Sequence, residues 1–143
     1  MNRETEPQQQ SAKTSQAPAA ILAPVSLGEL LNKITILEIK CDHFCGEPLR
    51  NARAELDQMK AALGTLSITP DPQLMEQLRS TYRKLWCIED EIRGHELEQN
   101  FGASFIELAR SVYQQNDFRS TIKRQLYLRH GSALMEEKSY TSY

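Results

Sequence analysis

The segment from Ser26 to Phe44 constrains the fold more than any other part of the chain, because it is apolar on more than one face. Its main stripe recurs every three or four residues, as in an amphipathic helix: Leu27, Leu30, Leu31, Ile34, Leu37, Cys41 and Phe44. Ile36 and Ile39 fall outside this stripe. A helix that is apolar on two faces usually packs on two sides. We therefore predict that this helix is either central in the fold or shared with a second subunit in a homodimer.

Boundary signals predict an all-α fold of about five helices. The expected helices run from Ser26 to about Phe44, Leu49 to Leu63, Asp71 to about Asn100, Ser104 to about Asn116, and Asp117 to Gly131. The first and fourth expected helices each begin with a Ser-x-x-Glu capping box, in which the serine side chain accepts a hydrogen bond from the glutamate amide. The second and third helices are expected to form a long antiparallel hairpin. No stretch alternates convincingly at period two, so no sheet is expected.

The chain length of 143 residues fits one domain. Residues 1–24 are polar, rich in Gln and Ser, and free of aromatic side chains. Such a segment cannot bury enough apolar surface to offset its ordering entropy, so it is predicted to be a disordered leader. Residues 25–140 then form a single helical domain, and residues 141–143 form a short tail.

Composition argues against several classes of function. The 17 basic and 19 acidic residues give a net charge of −2, which does not favour a nucleic-acid partner. No apolar run reaches the roughly 18 residues of a membrane-spanning helix, so no membrane partner is expected. Three cysteines without framework spacing indicate reduced thiols and a cytoplasmic location. Cys41, His43 and Cys45 lack the paired spacing of a structural zinc site, so neither a metal nor a cofactor is predicted.

The charges are separated along the chain, which suggests an anion site. The segment Glu89–Glu98 has a local charge of −4, and the segment Arg110–His130 has one of +4. Arg119 and Lys123 are four residues apart and share a helix face, and guanidinium groups bind phosphate or carboxylate in a bidentate manner. The bases predicted to bind the anion are Arg110, Arg119 and Lys123, and Asp117 lies near an expected helix start, where free amides favour an anion.

An internal charge network would produce a similar pattern. Glu38 borders the apolar stripe of the first helix, and a carboxylate there needs a partner because an unpaired buried charge is costly. Arg110 or Arg119 is the expected partner, which would make these arginines structural. In such a network the acidic and basic segments would pair with each other inside the fold or across a dimer.

Four stretches together resemble a small bacterial family of unknown function. They are PVSLGELLNKITILEIK at residues 24–40, LWCIEDEIR at 85–93, FIELARSVYQQNDFRSTIKR at 105–124 and GSALMEEKSY at 131–140. Some members of that family are associated with glycosyltransferases and tetratricopeptide-repeat proteins. The resemblance implies a helical domain and a role near surface-polysaccharide synthesis, and it supplies no catalytic residue. The matching stretches add Glu107 and Asn116 to the site, so the ligand-binding set is Arg110, Arg119, Lys123, Glu107, Asn116 and Asp117, in which Glu107 and Asp117 orient the basic groups. The same stretches give the residues of the alternative charge network, which are Lys33, Glu38, Glu89, Asp90, Arg93, Glu136, Glu137 and Lys138.

Taken together, these observations predict a cytoplasmic accessory domain. Its expected partner is either a protein or an anionic ligand of the sugar-phosphate or nucleotide-sugar class. Two alternatives stay open at the level of the sequence. One is a small helical enzyme that acts on a phosphate- or carboxylate-bearing substrate with the same charged cluster. The other is a structural interaction module whose charges pair internally.

Overall fold

A computed structural model describes residues 20–131, 133–134 and 137–143 of the chain. This part of the chain forms four α-helices and no strand, which confirms the all-α prediction. The helices are α1 (Leu27–His43), α2 (Gly46–Gly64), α3 (Pro72–Glu98) and α4 (Ala103–His130). Most of the predicted leader, residues 1–19, lies outside the described residues. None of the helices found among the described residues is both long enough and apolar enough to cross a bilayer.

Side-chain caps fix the starts of α1 and α3 where the sequence predicts them. Ser26 Oγ accepts a hydrogen bond from the Glu29 amide at 3.1 Å, and Asp71 Oδ1 accepts one from the Leu74 amide at 2.9 Å. These bonds satisfy amides that lack a partner in the first helical turn. The carboxylate of Glu29 instead forms an ion pair with Lys123 on α4. The cap of α1 is therefore also tied to the last helix.

The predicted break at Asn116 and Asp117 is wrong, because α4 continues through both residues. Asn and Asp cost a helix only a fraction of a kcal/mol relative to better helix formers, and neither removes a backbone donor as proline does. Burial of Ile122 and Leu126 outweighs that cost. The expected capping box at Ser104 is also not used, since the helix starts one residue earlier after Gly102.

The predicted hairpin of the second and third helices is not formed, because α2 packs on α1 and α3 packs on α4. The α3–α4 pair is antiparallel along its whole length. His95 contacts Phe105 near the connecting turn, Tyr82 contacts Arg119 in the middle, and Asp71 contacts Arg129 at the other end.

Helix α1 is central and packs against all three other helices. One core cluster joins α1, α3 and α4, and consists of Leu27, Leu31, Leu74, Met75, Leu78, Ile122 and Leu126. A second joins α1 and α2, and consists of Leu30, Ile34, Leu37 and Leu56. Both clusters use residues of the main apolar stripe of α1, so α1 is central within a single chain. The homodimer stays a prediction.

Candidate functional site

A groove of about 570 Å³ opens between the second half of α1, the middle of α3 and the middle of α4. Its apolar and aromatic wall is formed by Ile36, Ile39, Tyr82, Leu85 and Trp86. Its polar residues are Glu89, Asp90, Arg93, Asn116 and Arg119. We call this cavity the central groove. Its volume lies within the range of small-molecule sites in proteins, about 300–1,000 Å³.

Helical periodicity explains why these side chains meet. Tyr82, Trp86, Glu89 and Arg93 are spaced by four, three and four residues, so they lie on one face of α3. Ile36 and Ile39, which fall outside the main stripe of α1, supply the facing wall. The second apolar face of α1 is thus the face that builds the groove.

Arg119 is the most constrained charged residue of the central groove. Its Nη1 donates a hydrogen bond to the Tyr82 hydroxyl, and its guanidinium carbon lies 5.0 Å from the centre of the Tyr82 ring. Its Nε atom is buried and has no hydrogen-bond partner among the described residues. A buried donor without an acceptor carries a desolvation cost of about 1–3 kcal/mol. Arg119 therefore lines the groove and has one buried N–H group that lacks an acceptor among the described residues.

The environment of Tyr82 is polar on one side and apolar on the other. Burial raises the pKa of the Tyr82 hydroxyl, and the nearby Arg119 cation opposes this rise. Asn32 lies on the α1 side of the same hydroxyl, is 6% exposed, and has a buried Oδ1 without a partner. Tyr82 is thus flanked by two polar side chains whose hydrogen-bonding capacity is not used up within the described chain.

Trp86 lies where α1 ends against α3. Its ring stacks on His43 with centroids 4.3 Å apart and an interplanar angle of 12°. Phe44 meets the same ring edge-on at 6.1 Å. These contacts hold one face of the indole. Trp86 also lines the central groove and is the single tryptophan of the chain.

Three charged residues of α3 lie at the edge of the groove and are accessible to a ligand. Glu89, Asp90 and Arg93 are all exposed, and none forms an ion pair with another residue of the described ranges. The sequence places these three in an internal charge network. The structure places them along the central groove instead.

The predicted ligand-binding residues do not converge on one cavity. Arg110 is exposed, and a hydrogen bond with Tyr113 on its own helix raises its pKa, as does the nearby Glu107. It lies nine residues before Arg119, which is about 13 Å along the helix axis. Arg119 and Asn116 line the central groove, whereas Arg110, Glu107 and Lys123 do not.

Lys123 serves to join α4 to the start of α1. Its side chain is only 9% exposed, and its Nζ pairs with the Glu29 carboxylate. It lines a smaller cavity of about 210 Å³ beside the first turn of α1, together with Arg124. Arg124 lies 3.6 Å from the carboxylate of Glu137. Anionic side chains of the protein itself therefore already neutralise positive charge at this second cavity.

Part of the predicted charge network forms, with partners other than those expected. Glu38 accepts a hydrogen bond from Arg79 at 2.9 Å and lies 3.5 Å from Lys60. The prediction that Arg110 or Arg119 pairs with Glu38 is therefore wrong. Lys33 pairs with Glu55 of α2 at 2.8 Å. Both groups connect α1 to its neighbours.

The C-terminal part of the predicted network lies along α4. Lys138 lies over the ring of Tyr140 at 5.8 Å. Asp117, which the sequence assigns to ligand binding, accepts a hydrogen bond from the Tyr143 hydroxyl at 2.7 Å. Glu136 lies outside the described residues.

The cysteines show no arrangement that would hold a metal ion. Cys41 packs partly buried against the α1–α2 core, and Cys45 and Cys87 are exposed free thiols. Within the described ranges, no three side chains of His, Cys, Asp or Glu are grouped so that they could hold a metal.

Sequence reasoning missed the aromatic half of the central groove. In the sequence, Tyr82 and Trp86 flank the apolar positions of the third helix, so the pattern suggests only packing for them. Their spacing with Glu89 and Arg93 was the available signal, because it places aromatic and charged residues on one helix face. The role of Arg79 as partner of Glu38 had no comparable signal, since it depends on how α1 packs against α3.

Comparisons with protein-family models, with curated proteins and with solved structures found no match to this chain. The function is therefore inferred from the chemistry of the central groove.

Proposed function

We propose that the protein is a helical accessory domain that binds an anionic, hydroxyl-rich ligand of the sugar-phosphate class in the central groove. The observation that carries this proposal is the buried Nε of Arg119, which lacks an acceptor among the described residues. The resemblance to a family associated with glycosyltransferases supports the same ligand class and a place in surface-polysaccharide synthesis.

The anionic part of the ligand follows from Arg119. One edge of its guanidinium already donates to Tyr82, while Nε remains without an acceptor. A phosphate or carboxylate oxygen in the groove would accept a charge-assisted hydrogen bond from this guanidinium, which is stronger than a neutral one. Arg93 lies along the same groove and adds a second cation.

The hydroxyl-bearing part of the ligand follows from the acids. Glu89 and Asp90 stand beside the two arginines in the groove lining, so a ligand that is anionic throughout would be repelled there. Carboxylates accept hydrogen bonds from hydroxyl groups. A molecule with a phosphate at one end and several hydroxyls at the other fits both halves of this lining.

The contacts of Lys123 and Glu38 favour a structural role for these two residues. Lys123 is almost fully buried and paired, and Glu38 contacts both α2 and α3 from the central helix. Breaking a buried ion pair by removing one partner is strongly destabilising. We therefore assign both to fold stability and leave ligand binding to Arg93, Asn116 and Arg119.

A thermal-shift panel with two matched arginine variants tests the proposal. Sugar phosphates are expected to raise the midpoint of the wild type by several degrees at about 100 times the dissociation constant, a gain of about 2.7 kcal/mol. Arg93→Ala should reduce this shift because the groove loses a cation. Arg110→Ala is the control, since Arg110 is an exposed arginine that does not line the groove.

The two variants separate binding from folding. Both arginines are exposed, so both proteins should unfold near the wild-type temperature without ligand. Equal ligand shifts in Arg93→Ala and Arg110→Ala would contradict the assignment of the groove. A panel with no shift at all would overturn the proposed ligand class and favour a structural interaction module.

A further inference from the structure

A third cavity, of about 570 Å³, lies beside the central groove, next to the C-terminal residues of the chain. It is formed between α4 and the segment 138–143, which we call the C-terminal strap. Asn116 and Arg119 line this cavity as well as the central groove. The two spaces therefore meet at the same pair of polar side chains.

The C-terminal strap is attached to α4 by specific contacts. The Tyr143 hydroxyl donates to Asp117, and this bond raises the pKa of Tyr143. The Tyr143 ring also meets Tyr113 edge-on, with centroids 4.8 Å apart and an interplanar angle of 79°. Tyr140 completes an aromatic lining. We call this space the tyrosine cavity.

We propose that the central groove and the tyrosine cavity form one bipartite site, and that the tyrosine cavity takes a planar ring. This inference rests on the proposed function and narrows it. The ligand is then a nucleotide-type molecule, with a base under the C-terminal strap, phosphate at Arg119 and a hydroxyl-bearing group in the central groove.

The chemistry of the tyrosine cavity distinguishes it from the groove. The three tyrosines lie outside the core and remain accessible to a ligand: the exposed fractions of Tyr113, Tyr140 and Tyr143 are 40%, 75% and 77%. Aromatic rings bind planar heterocycles by stacking, whatever the identity of the base. Asn116 at the junction offers both an amide donor and a carbonyl acceptor to the edge of such a ring.

The position of Arg119 fixes the order of the three ligand parts. It lines both cavities, so a group bound to it lies between the two spaces. Phosphate is the group that prefers a guanidinium, and in a nucleoside-diphosphate sugar it also lies between the base and the sugar. The aromatic cavity on one side and the carboxylate-bearing groove on the other match those two ends.

Isothermal titration calorimetry on the full chain tests this inference. The probes are UDP-glucose, ADP-glucose and GDP-mannose, compared with glucose 1-phosphate and mannose 1-phosphate, which lack the ring. At least one nucleotide sugar is expected to bind about tenfold more tightly than its sugar phosphate. Tyr143→Ala should remove most of this difference and leave the affinity for the sugar phosphate unchanged.

Phe118→Ala is the matched control, because Phe118 is an exposed aromatic residue of α4 that lines neither cavity. It should preserve the advantage of the nucleotide sugar. If sugar phosphates bind as tightly as all three nucleotide sugars, or if Tyr143→Ala has no effect, the bipartite site is overturned while the proposed function stands. If no probe binds, both are overturned.

Discussion

Gly28 of α1 lies close to the backbone of α4. A Cβ atom added there would lie 3.0 Å from the main-chain oxygen of Lys123 and 3.4 Å from its Cβ. Real Cβ atoms rarely come so close to a backbone oxygen. Glycine at this position therefore lets α1 and α4 pack together at the site where Glu29 pairs with Lys123.

Replacing Gly28 by alanine is expected to destabilise the protein by about 1–3 kcal/mol, because the added methyl group forces two packed helices apart. The control is Gly94→Ala, near the C-terminal end of α3, where an added Cβ meets nothing within 4 Å. That change should stabilise the protein by about 0.5–1 kcal/mol, since alanine favours the helix. Urea unfolding measures both changes, and a loss of stability in Gly94→Ala as large as that in Gly28→Ala would contradict the argument.

At the level of single residues, the sequence predicts local interactions better than distant ones. The caps formed by Ser26 and Asp71 follow from spacings of three residues and are confirmed. The partner of Glu38 lies 41 residues away in α3, so no local pattern could select Arg79 over Arg110 or Arg119. Arg119 was predicted from charge and Asn116 from the family resemblance, while the aromatic groups around them depend on tertiary packing.

At the level of elements, helix α4 shows why a polar interruption is a weak boundary signal. Asn116 and Asp117 look like a helix stop because their side chains compete for backbone hydrogen bonds. In the structure the flanking turns stay helical, and Ser120 and Thr121 donate back to the carbonyls of these two residues. Packing of a whole helix face decided the outcome, and this energy cannot be read from the two residues alone.

The pairing of helices was the other element-level error, and it has a similar cause. A short turn between two amphipathic helices favours a hairpin, yet α2 packs on α1 instead of α3. Ala52 and Leu56 of α2 are buried, and Leu56 joins the core cluster that α2 shares with α1. The sequence shows that α1 has two apolar faces, but it does not show which helix covers each face.

The start of α3 is expected to depend on pH through Asp71. The hydrogen bond from the Leu74 amide holds the pKa of Asp71 below its ordinary value, and the Arg129 cation acts in the same direction. A carboxyl group with a lowered pKa stabilises the fold above its unfolded pKa, and this contribution is lost as pH falls through the folded pKa. The first turn of α3 should therefore loosen below about pH 4.

The chemical shift of the Leu74 amide, followed by NMR during acid titration, measures this loss. Asp71→Asn provides the control, because asparagine still offers a capping oxygen and does not titrate. The amide shift should then show no transition in this range. An identical acid transition in the wild type and in Asp71→Asn would show that another group controls the start of α3.

At the level of the whole molecule, stability is concentrated where α1 meets the α3–α4 hairpin. Leu31 is fully buried in that cluster, whereas Leu97 near the end of α3 is 87% exposed. Leu31→Ala is expected to cost about 2–5 kcal/mol through lost burial and a residual cavity. Leu97→Ala removes the same atoms and should change stability by less than about 0.5 kcal/mol. Thermal unfolding compares them, and similar losses would contradict a core centred on α1.

The acidic and basic segments of the sequence lie in different parts of the α3–α4 pair. The acidic segment Glu89–Glu98 occupies the end of α3, and the basic residues of α4 from Arg119 onward lie toward the opposite end of the pair. The central groove lies where these two regions meet, with Glu89 and Asp90 from one and Arg119 from the other. Under the proposed function, this arrangement suits a ligand with both hydroxyl and anionic groups.

The central claim is that ligand occupies the central groove, and the fluorescence of Trp86 tests it most directly. Trp86 is the only tryptophan of the chain and lines the groove, so a ligand bound there should change its emission. Titration with glucose 1-phosphate and UDP-glucose should change the emission saturably in the wild type and in Arg110→Ala, with weaker binding in Arg93→Ala. Thermal stabilisation by these ligands without any change in Trp86 emission would place binding elsewhere and contradict the account.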